Sequence, residues 1–156
     1  MKRLLVFLFI VLLLCITNLT CVQDLTLSNI FPTASVEIYT SSKTNIEQLS
    51  KIENGLGEII FCNINELDYI LKGFDNISGF TLKFDTQNKT KQQILEQLNL
   101  QRFTSNGFGI LGYSSTIGSL FNNKFCVNID KNKCNFQLFE TKNSIFLGVP
   151  ILLGSY

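Results

Sequence analysis

The sequence has no histidine and no tryptophan, and it contains only one methionine and two prolines among 156 residues. Without histidine, Ser-His-Asp and Cys-His catalysis and histidine-ligated zinc sites are excluded in this chain. Without tryptophan, and with a single methionine, it lacks the side chains that most often anchor adaptable binding surfaces. The formal net charge of +1 gives no long-range attraction to phosphate backbones or anionic headgroups. We therefore expect no nucleic-acid partner.

The composition is otherwise that of a folded domain. Hydrophobic residues make up 46% of the sequence and charged residues 16%, a balance typical of globular proteins and unlike that of disordered chains. The length of 156 residues accommodates one domain with appendages.

The N-terminus carries an export pattern. Lys2 and Arg3 form a short positive segment, and an uninterrupted apolar run follows at 4–16. A helix of this length measures roughly 20 Å, short of the roughly 30 Å hydrocarbon core of a bilayer. This favours a signal peptide within 1–21. The alternatives are an uncleaved anchor that extends to residue 22 and a lipoprotein with Cys21 as the lipidated residue.

Each alternative places the domain outside the cytoplasm, either secreted or held at the outer face of the cytoplasmic membrane. The protein would then contact the membrane only through its N-terminal segment, and only if that segment is uncleaved.

Residues 22–34 are predicted to form a linker, with Pro32 marking the start of a single domain over 35–156. In the first part of this domain, short runs of alternating or continuous apolar residues indicate strands. The predicted strands are 35–40, 57–64 and 79–84.

Three helices are predicted in the same part of the chain, because capping patterns precede apolar residues at helical spacing. Capping boxes open at Thr44 and at Thr90, and Asn65 is the predicted cap of the helix between them. The apolar stripe of the first helix comprises Ile46, Leu49 and Ile52.

The helical pattern disappears after Leu100, and the rest of the chain is predicted to consist of strands separated by turns. A mixed first part followed by an antiparallel meander is typical of an α+β fold. We therefore expect a twisted antiparallel sheet with about three helices packed on one face. The predicted C-terminal strands are 108–115, 124–130, 134–140 and 144–153, with hairpins at 130–133 and 141–143.

The last predicted strand is strongly apolar on both faces. Ile145, Leu147, Val149 and Ile151 alternate along it and are expected to face the helices together. Pro150 has no N–H to donate, so it is expected at a sheet edge or at the end of the strand.

The cysteines predict no metal site. Cys62, Cys126 and Cys134 lie in the predicted domain, without a metal-ligand spacing. Cys126 and Cys134 flank one hairpin and would form a disulfide if the loop were centred near Asp130, whereas a two-residue turn would offset them. The alternative is free thiols that pack as small hydrophobic side chains.

No catalytic constellation is present in the sequence. The acidic residues are scattered, with Glu66 and Asp68 on the second predicted helix, opposite its apolar stripe, and Asp75 and Asp85 in or near turns. No residue is therefore predicted to be catalytic or to bind a cofactor, and a non-enzymatic domain is favoured.

The C-terminal residues resemble those of a known family. KCNFQLFE (133–140) is followed by SIFLGVPILLGSY (144–156), and this ending is similar to that of YwmB-type proteins. These are exported proteins of low-GC Gram-positive bacteria whose fold resembles the TATA-box-binding protein. The resemblance covers mainly the C-terminal half of the family, over 108–156, and extends back to Gly57. The matching positions are Tyr113, Lys133, Asn135, Phe136, Gln137, Leu138, Gly148, Pro150, Ile151 and Tyr156.

The resemblance implies structural roles for these residues and no enzymatic activity. It implies a close backbone approach at Gly148, a position at Pro150 that needs no ladder N–H, and a place for Asn135 and Gln137 on the polar side of a strand. The predicted function is an exported, non-enzymatic cell-envelope or secreted domain that binds a protein or cell-wall component. The alternative is a small extracytoplasmic hydrolase or transferase that uses carboxylates or hydroxyls in a groove. A concave pocket lined by two or more charged groups would favour that alternative.

Overall fold

A computed structural model describes residues 25–45, 49–107 and 109–153. These residues form a mixed α+β domain that combines a large antiparallel sheet with four short helices, which confirms the expected fold class. The strands are β1 (Ser35–Thr40), β2 (Ser50–Asn54), β3 (Gly57–Asn63), β4 (Ile77–Asp85), β5 (Leu100–Asn106), β6 (Gly109–Ser114), β7 (Val127–Ile129), β8 (Asn132–Cys134), β9 (Phe136–Glu140) and β10 (Ser144–Val149). The helices are α1 (Leu27–Ile30), α2 (Ile64–Gly73), α3 (Lys91–Gln97) and α4 (Ser115–Leu120).

Eight of the strands form one sheet in the order β2-β3-β1-β4-β10-β9-β6-β5. Every neighbouring pair in it is antiparallel. The short strands β7 and β8 form a separate hairpin. β10, which comes last along the described chain, therefore lies in the middle of the sheet, between β4 and β9.

The register of β4 and β10 places six fully buried apolar side chains on one face of the sheet. Each of these side chains is at most 2% exposed, and burial of each stabilises the fold by about 1.5–3 kcal/mol. The cross-strand pairs on this face are Phe84–Ile145, Leu82–Leu147 and Phe80–Val149.

The helices lie against this same face. Phe31, directly after α1, packs edge-to-face on Phe84 with ring centroids 5.2 Å apart. Phe121, directly after α4, packs on Phe80 at 5.4 Å. α2 contacts β1, β3 and α1. The side chains that α2 buries in the core are Ile64, Leu67, Ile70 and Leu71.

Local capping chemistry sets where α2 and α3 begin. Thr90 Oγ1 accepts the N–H of Gln93 at 3.3 Å, and the Gln93 side chain accepts the N–H of Thr90 at 2.9 Å, so the capping box predicted for α3 is confirmed. α2 begins earlier than expected, because Asn63 rather than Asn65 is its N-cap and donates its N–H to Glu66 at 2.8 Å.

The helix predicted to follow Thr44 is wrong where the structure describes that segment. Ser50–Asn54 is the edge strand β2, paired with β3, and 46–48 lie outside the described residues. Thr44 does not cap a helix, because its hydroxyl and its N–H donate to the Glu58 carboxylate at 2.7 and 2.8 Å. Ile52 lies opposite Ile59 of β3, so cross-strand pairing outweighs the local helical spacing.

The described part of the predicted linker, residues 25–34, belongs to the folded domain. It contains α1, and Leu27 and Phe31 are 1% and 0% exposed. These two side chains fill the core between α2 and the sheet, so the packed domain begins before residue 35.

Two elements after Lys91–Gln97 are absent from the sequence-based expectation. β5 forms one edge of the sheet, and α4 follows β6 directly, so the expectation that helices end before Leu100 is wrong. α4 begins because Ser114 Oγ accepts the N–H of Ile117 at 3.2 Å, a local cap that does not depend on a long apolar stripe.

The last strand is shorter than predicted. β10 ends at Val149, and a cis peptide bond joins Val149 to Pro150. Pro150 therefore stands at the end of a strand, as expected. Ile151 lies beyond the strand and does not share the helix-facing side with Leu147, which corrects that part of the prediction.

After Pro150 the chain turns back over β10 as a returning segment, residues 151–153. A Cβ on Gly148 would lie 2.4 Å from the Leu152 nitrogen, so only glycine permits this approach. The Leu152 N–H donates to Gln137 Oε1 of β9 at 3.1 Å, which fastens the returning segment to the sheet.

No helix in the three described ranges is long and apolar enough to cross a membrane. The predicted export segment, 1–21, lies outside those ranges. The signal-peptide, anchor and lipoprotein alternatives therefore stay predictions.

A buried carboxylate fastens the segment before β2 to β3. Glu58 is 5% exposed, accepts the two hydrogen bonds from Thr44 and forms a 3.1 Å ion pair with Lys51. The hydrogen bonds from Thr44, with the smaller effect of the Lys51 ammonium, lower the pKa of Glu58 from an ordinary 4.5 to about 2.

This pKa shift predicts a specific loss of stability in acid. Because the folded-state pKa lies below the unfolded one, the contribution of Glu58 is complete above pH 4.5 and is lost as the pH falls toward about 2. Glu58→Gln should melt at a lower temperature than wild type at pH 7 and lose less stability in that acid range. Calorimetry at a series of pH values measures the slope of stability against pH for both proteins. Glu53→Gln, which removes an exposed partner of Lys43, is the control. Parallel slopes for wild type and Glu58→Gln would contradict this assignment.

Candidate functional site

A cavity opens on the helical side of the domain, where α1, α2 and the end of α4 meet. Its volume is about 530 Å³, within the range of roughly 300–1,000 Å³ found for small-molecule sites. Leu71 and Phe125 are buried at its floor, whereas Leu25, Lys72 and Lys124 are exposed at its rim. The lining residues are Leu25, Thr26, Asp68, Leu71, Lys72, Leu120, Phe121, Lys124 and Phe125.

The N-terminal cap of α1 positions the first wall. Thr26 Oγ1 accepts the N–H of Asn29 at 3.3 Å and lies 2.9 Å from Ser28 Oγ. Leu27, directly after the cap, inserts into the core at 1% exposure, whereas Leu25 before it is 55% exposed. The cap therefore holds Leu25 and Thr26 at the mouth of the cavity.

The second wall is one face of α2. Asp68, Leu71 and Lys72 line the cavity, and their i, i+3, i+4 spacing places them side by side on the helix. Leu67 and Ile70 point into the core at 0% and 1% exposure. Burial of that adjoining stripe fixes the rotation of α2 and therefore the direction of its cavity face.

The third wall is aromatic and preformed. Asn122 and Asn123 have left-handed backbone angles, with φ of 47° and 57°, and turn the chain back after α4. The turn brings the Phe121 and Phe125 rings to a centroid distance of 5.5 Å, and Phe80 of β4 contacts them at 5.4 and 5.7 Å. These edge-to-face contacts hold the ring orientations without a ligand.

Three charged side chains line the cavity, two positive and one negative. Lys72 follows Asp68 by one helical turn, and Lys124 projects from the segment after α4, with Nζ 5.6 Å from the Phe125 ring centroid. Within the described residues, none of the three takes part in an ion pair. Two ammonium groups and one carboxylate leave an excess positive charge, so the cavity favours an anionic ligand.

These groups are suited to binding. The one hydroxyl among the described lining residues belongs to Thr26, and it is engaged in capping α1. In the described ranges, no group of three His, Cys, Asp or Glu side chains is placed to hold a metal ion. A preformed apolar floor with a few convergent polar groups is the usual make-up of a reversible small-molecule site.

Two residues of the family resemblance meet at the end of α4. The Tyr113 hydroxyl and Lys133 Nζ both donate to Asn123 Oδ1, at 2.8 and 3.0 Å, and Lys133 lies 5.3 Å from the Tyr113 ring centroid. A Cβ on Gly118 would lie 2.4 Å from the Tyr113 hydroxyl, so a side chain at this position would collide with Tyr113. The three polar groups brace the turn that positions Phe121.

Asn135 departs from its expected place on the polar side of a strand. It is 0% exposed, its Nδ2 donates to the Ser114 carbonyl at 2.8 Å, and its Oδ1 accepts the Ser114 N–H at 2.8 Å. The Asn135 side chain thus replaces the backbone pairing that is interrupted between β8 and β9. Gln137 is half-buried and accepts from Leu152. Tyr156 lies outside the described residues.

Cys126 and Cys134 are free thiols in this structure. A two-residue turn at 130–131 joins β7 to β8, and the register places Cys134 opposite Val127 rather than Cys126. Cys134 is 4% exposed, and burial raises the pKa of its thiol. The arrangement corresponds to the free-thiol alternative, with the offset that a two-residue turn produces.

Most of the cavity escapes prediction from the sequence. Leu25 and Thr26 fall in the predicted linker, and Phe121 falls where no helix is predicted. Phe125 falls in the strand predicted at 124–130, which is wrong for 124–126, because β7 begins only at Val127. One weak signal is present, since Thr26 is a good N-cap residue. It does not show that the segments meet, because only the packing of α1, α2 and α4 on one sheet face brings them together.

The fold and the cavity together define an α+β domain with a small-molecule-sized cleft on its helical side. No family model matches this chain, and neither a curated protein nor a solved structure matches it.

Proposed function

We propose that this protein is an exported, non-enzymatic domain of the cell envelope that binds an envelope component in the cavity between α1, α2 and α4. The observation that carries the proposal is one cavity that combines a preformed apolar floor with charged side chains that form no ion pair within the described residues. The export pattern at 1–21 supports the extracytoplasmic location, because a positive segment followed by an apolar run is typical of an export signal.

A binding role fits the lining better than catalysis does. One observation favours the rival hydrolase or transferase: Asp68, Lys72 and Lys124 line the same cavity. However, bond cleavage at such a site needs a nucleophile or an activated water held by a base. The lining hydroxyl of Thr26 serves as a helix cap, and no described lining residue forms a nucleophile–base pair with it.

The resemblance to YwmB-type proteins supports the same proposal, and we assign the domain to that type, with its TATA-box-binding-protein-like fold, as part of it. The matching residues Asn135, Gln137 and Gly148 make the contacts that hold the C-terminal strands and the returning segment together. The close approach at Gly148 agrees with the role that the resemblance implies, whereas Asn135 has a structural role at a buried position instead of on the polar side of a strand. A nucleic-acid partner is not proposed, because the chain has a net charge of only +1.

Site-specific photocrosslinking in living cells tests this proposal. A benzophenone amino acid replaces Leu25 at the exposed rim in the full-length chain, and the intact cells are irradiated. We expect an adduct with a membrane or wall component, because Leu25 lines the cavity mouth and is 55% exposed, and its replacement keeps both lysines. The same amino acid at Lys142, which is also exposed, on the β9–β10 hairpin, is the control and should give no such adduct.

A reporter enzyme fused after Tyr156 checks the location independently. It should be active only outside the cytoplasm, and Leu8→Arg with Leu12→Arg, which interrupts the apolar run, should keep it inside. Cytoplasmic activity of the unaltered fusion, or equal adducts from positions 25 and 142, would contradict the proposed function.

A further inference from the structure

We propose that the occupant of this cavity is a membrane lipid with an anionic phosphate and free headgroup hydroxyls, a glycerophospholipid of the phosphatidylglycerol type. This inference deepens the proposed function and rests on it. An acyl chain would contact the aromatic floor, the phosphate would lie between Lys72 and Lys124, and the headgroup hydroxyls would donate to Asp68.

The apolar part of the ligand is inferred from the floor. Leu71 and Phe125 are 8% and 5% exposed, and Leu120 and Phe121 are half-buried beside them. The Phe121 ring is held by Phe80 and Phe125 and needs no rearrangement to present an apolar surface. A preformed apolar surface reduces the ordering cost of binding a flexible chain.

The anionic part of the ligand is inferred from the rim. In the described chain, Lys72 and Lys124 form no ion pair, and both line the cavity from opposite walls, one on α2 and one after α4. Ammonium groups bind phosphate through charge-assisted hydrogen bonds. Attraction here is local and does not require a large net charge on the whole protein.

Asp68 restricts the kind of headgroup that the cavity can bind. Its carboxylate is an acceptor only and lies one helical turn before Lys72. It would repel the second negative charge of a phosphomonoester. A glycerol hydroxyl can donate a directed hydrogen bond to it, whereas choline offers a positive charge but no hydrogen-bond donor. Lysine for the phosphate and aspartate for a hydroxyl therefore select a polyol headgroup over phosphatidic acid.

The surface around the mouth has the composition of a membrane-interface surface. Tyr69 is 79% exposed and lies three residues before Lys72, on a neighbouring part of the same helix. Leu25 is 55% exposed at the other side of the mouth. Exposed tyrosine and leucine beside lysine are favoured at the boundary between headgroups and acyl chains.

An uncleaved N-terminal apolar run, one of the alternatives that the sequence leaves open, would keep the mouth within reach of the bilayer. The run ends at residue 16, and the chain from there to Leu25 spans at most roughly 30 Å when fully extended. An uncleaved anchor would therefore hold the cavity close to the outer leaflet, where the lipid is the most concentrated amphiphile. This geometry commits the proposal to a bilayer lipid as the source, rather than a soluble phosphate.

Photolabelling with two lipids tests the inference. Full-length protein is reconstituted in phosphatidylcholine vesicles that contain a small fraction of a phosphatidylglycerol or a phosphatidylcholine probe, each with the same diazirine-bearing acyl chain. The phosphatidylglycerol probe should label the segment with Phe121 and Phe125 about tenfold more than the phosphatidylcholine probe. The difference is that expected for one charge-assisted hydrogen bond, from a glycerol hydroxyl to the Asp68 carboxylate. Mass spectrometry locates the labelled residues.

Variants of exposed or half-buried residues separate the contributions without disturbing the core. Lys72→Gln with Lys124→Gln should reduce labelling by both probes, because both carry the phosphate that the two lysines bind, whereas Lys142→Gln should leave it unchanged. Asp68→Asn should remove the preference for phosphatidylglycerol over a phosphatidic acid probe. Thermal melting of each variant establishes that it is folded, so that lost labelling reports on the cavity.

Several outcomes would overturn the inference. These are equal labelling by both probes, labelling that persists in the double lysine variant, and labelling confined to the N-terminal apolar run. Protection by soluble glycerol 1-phosphate to the same extent as by the lipid would show that the occupant is a free phosphate ester. In each case the crosslinking from position 25 in cells remains a separate result, so failure of the lipid assignment is distinguishable from failure of the proposed function.

Discussion

Truncation of the chain after Asn143 is expected to abolish cooperative unfolding and to leave an aggregation-prone polypeptide. It removes β10, which joins the four strands β2-β3-β1-β4 to the three strands β9-β6-β5. Ile145, Leu147 and Val149 are each 0% exposed, and burial of each contributes about 1.5–3 kcal/mol. Their sum, roughly 4.5–9 kcal/mol, is comparable with the whole stability of about 5–15 kcal/mol of a typical domain.

The loss would extend beyond these side chains. Without β10, the inner edges of β4 and β9 lose their ladder partners, and unpaired apolar edges are templates for pairing between chains. Circular dichroism during a urea titration measures the outcome, and no sigmoidal transition is expected. A truncated chain that unfolded cooperatively near the full-length midpoint would show that β10 is peripheral to the core.

A point substitution separates burial from chain length in the same experiment. Val149→Asp places a carboxylate at a fully buried position opposite Phe80, and an unpaired charge there is expected to be as damaging as truncation. Leu153→Asp is the matched control, because Leu153 is 39% exposed on the returning segment. It should change the midpoint only slightly.

Sequence periodicity predicts the central strands well because burial on one face is itself what creates the period. Phe80, Leu82 and Phe84 alternate in the sequence and lie on the core face of β4. The same reasoning predicts that Leu147 faces the helices, which it does. These strands are specified by many residues at once, so errors in any single local signal do not change the prediction.

The failures occur where a few polar contacts outweigh the local pattern. A capping box at Thr44 predicts a helix, yet the Thr44 hydroxyl donates to the Glu58 carboxylate, which is distant in sequence. Ser114 starts α4 as a single cap, without the long apolar stripe that makes a helix visible in a sequence. The cavity depends on both α1 and α4, so it could not be predicted from periodicity.

Asn135→Leu is expected to destabilise the domain by roughly 2–6 kcal/mol. The substitution keeps the number and branching of the side-chain heavy atoms but removes the two hydrogen bonds to the N–H and C=O of Ser114. Both Ser114 and Asn135 are 0% exposed, so water cannot replace the lost partner, and each orphaned backbone group costs about 1–3 kcal/mol. Chemical denaturation at pH 7 measures the difference in free energy of unfolding.

Asn132→Ala is the matched control for that measurement. Asn132 belongs to the adjoining strand β8, but its side chain is exposed and donates only to the nearby Asp130 carbonyl at 3.3 Å. Its replacement should cost less than about 0.5 kcal/mol, as is usual at surfaces. Equal losses for the two variants would contradict the role assigned to Asn135.

The Asn135 substitution should also be felt in the cavity, because Ser114 connects the two. Besides pairing with Asn135, Ser114 donates its hydroxyl to the Leu98 carbonyl and caps α4 through the N–H of Ile117. A displaced Ser114 would release the start of α4 and hence the support of Phe121 at the far end of the helix. Hydrogen exchange measured under native conditions should therefore accelerate in α4 of Asn135→Leu, while α2, which is capped independently at Asn63, keeps its wild-type exchange rates. Acceleration spread equally over α2 and α4 would instead mean that the variant loses stability globally, with no specific connection between Asn135 and the cavity wall.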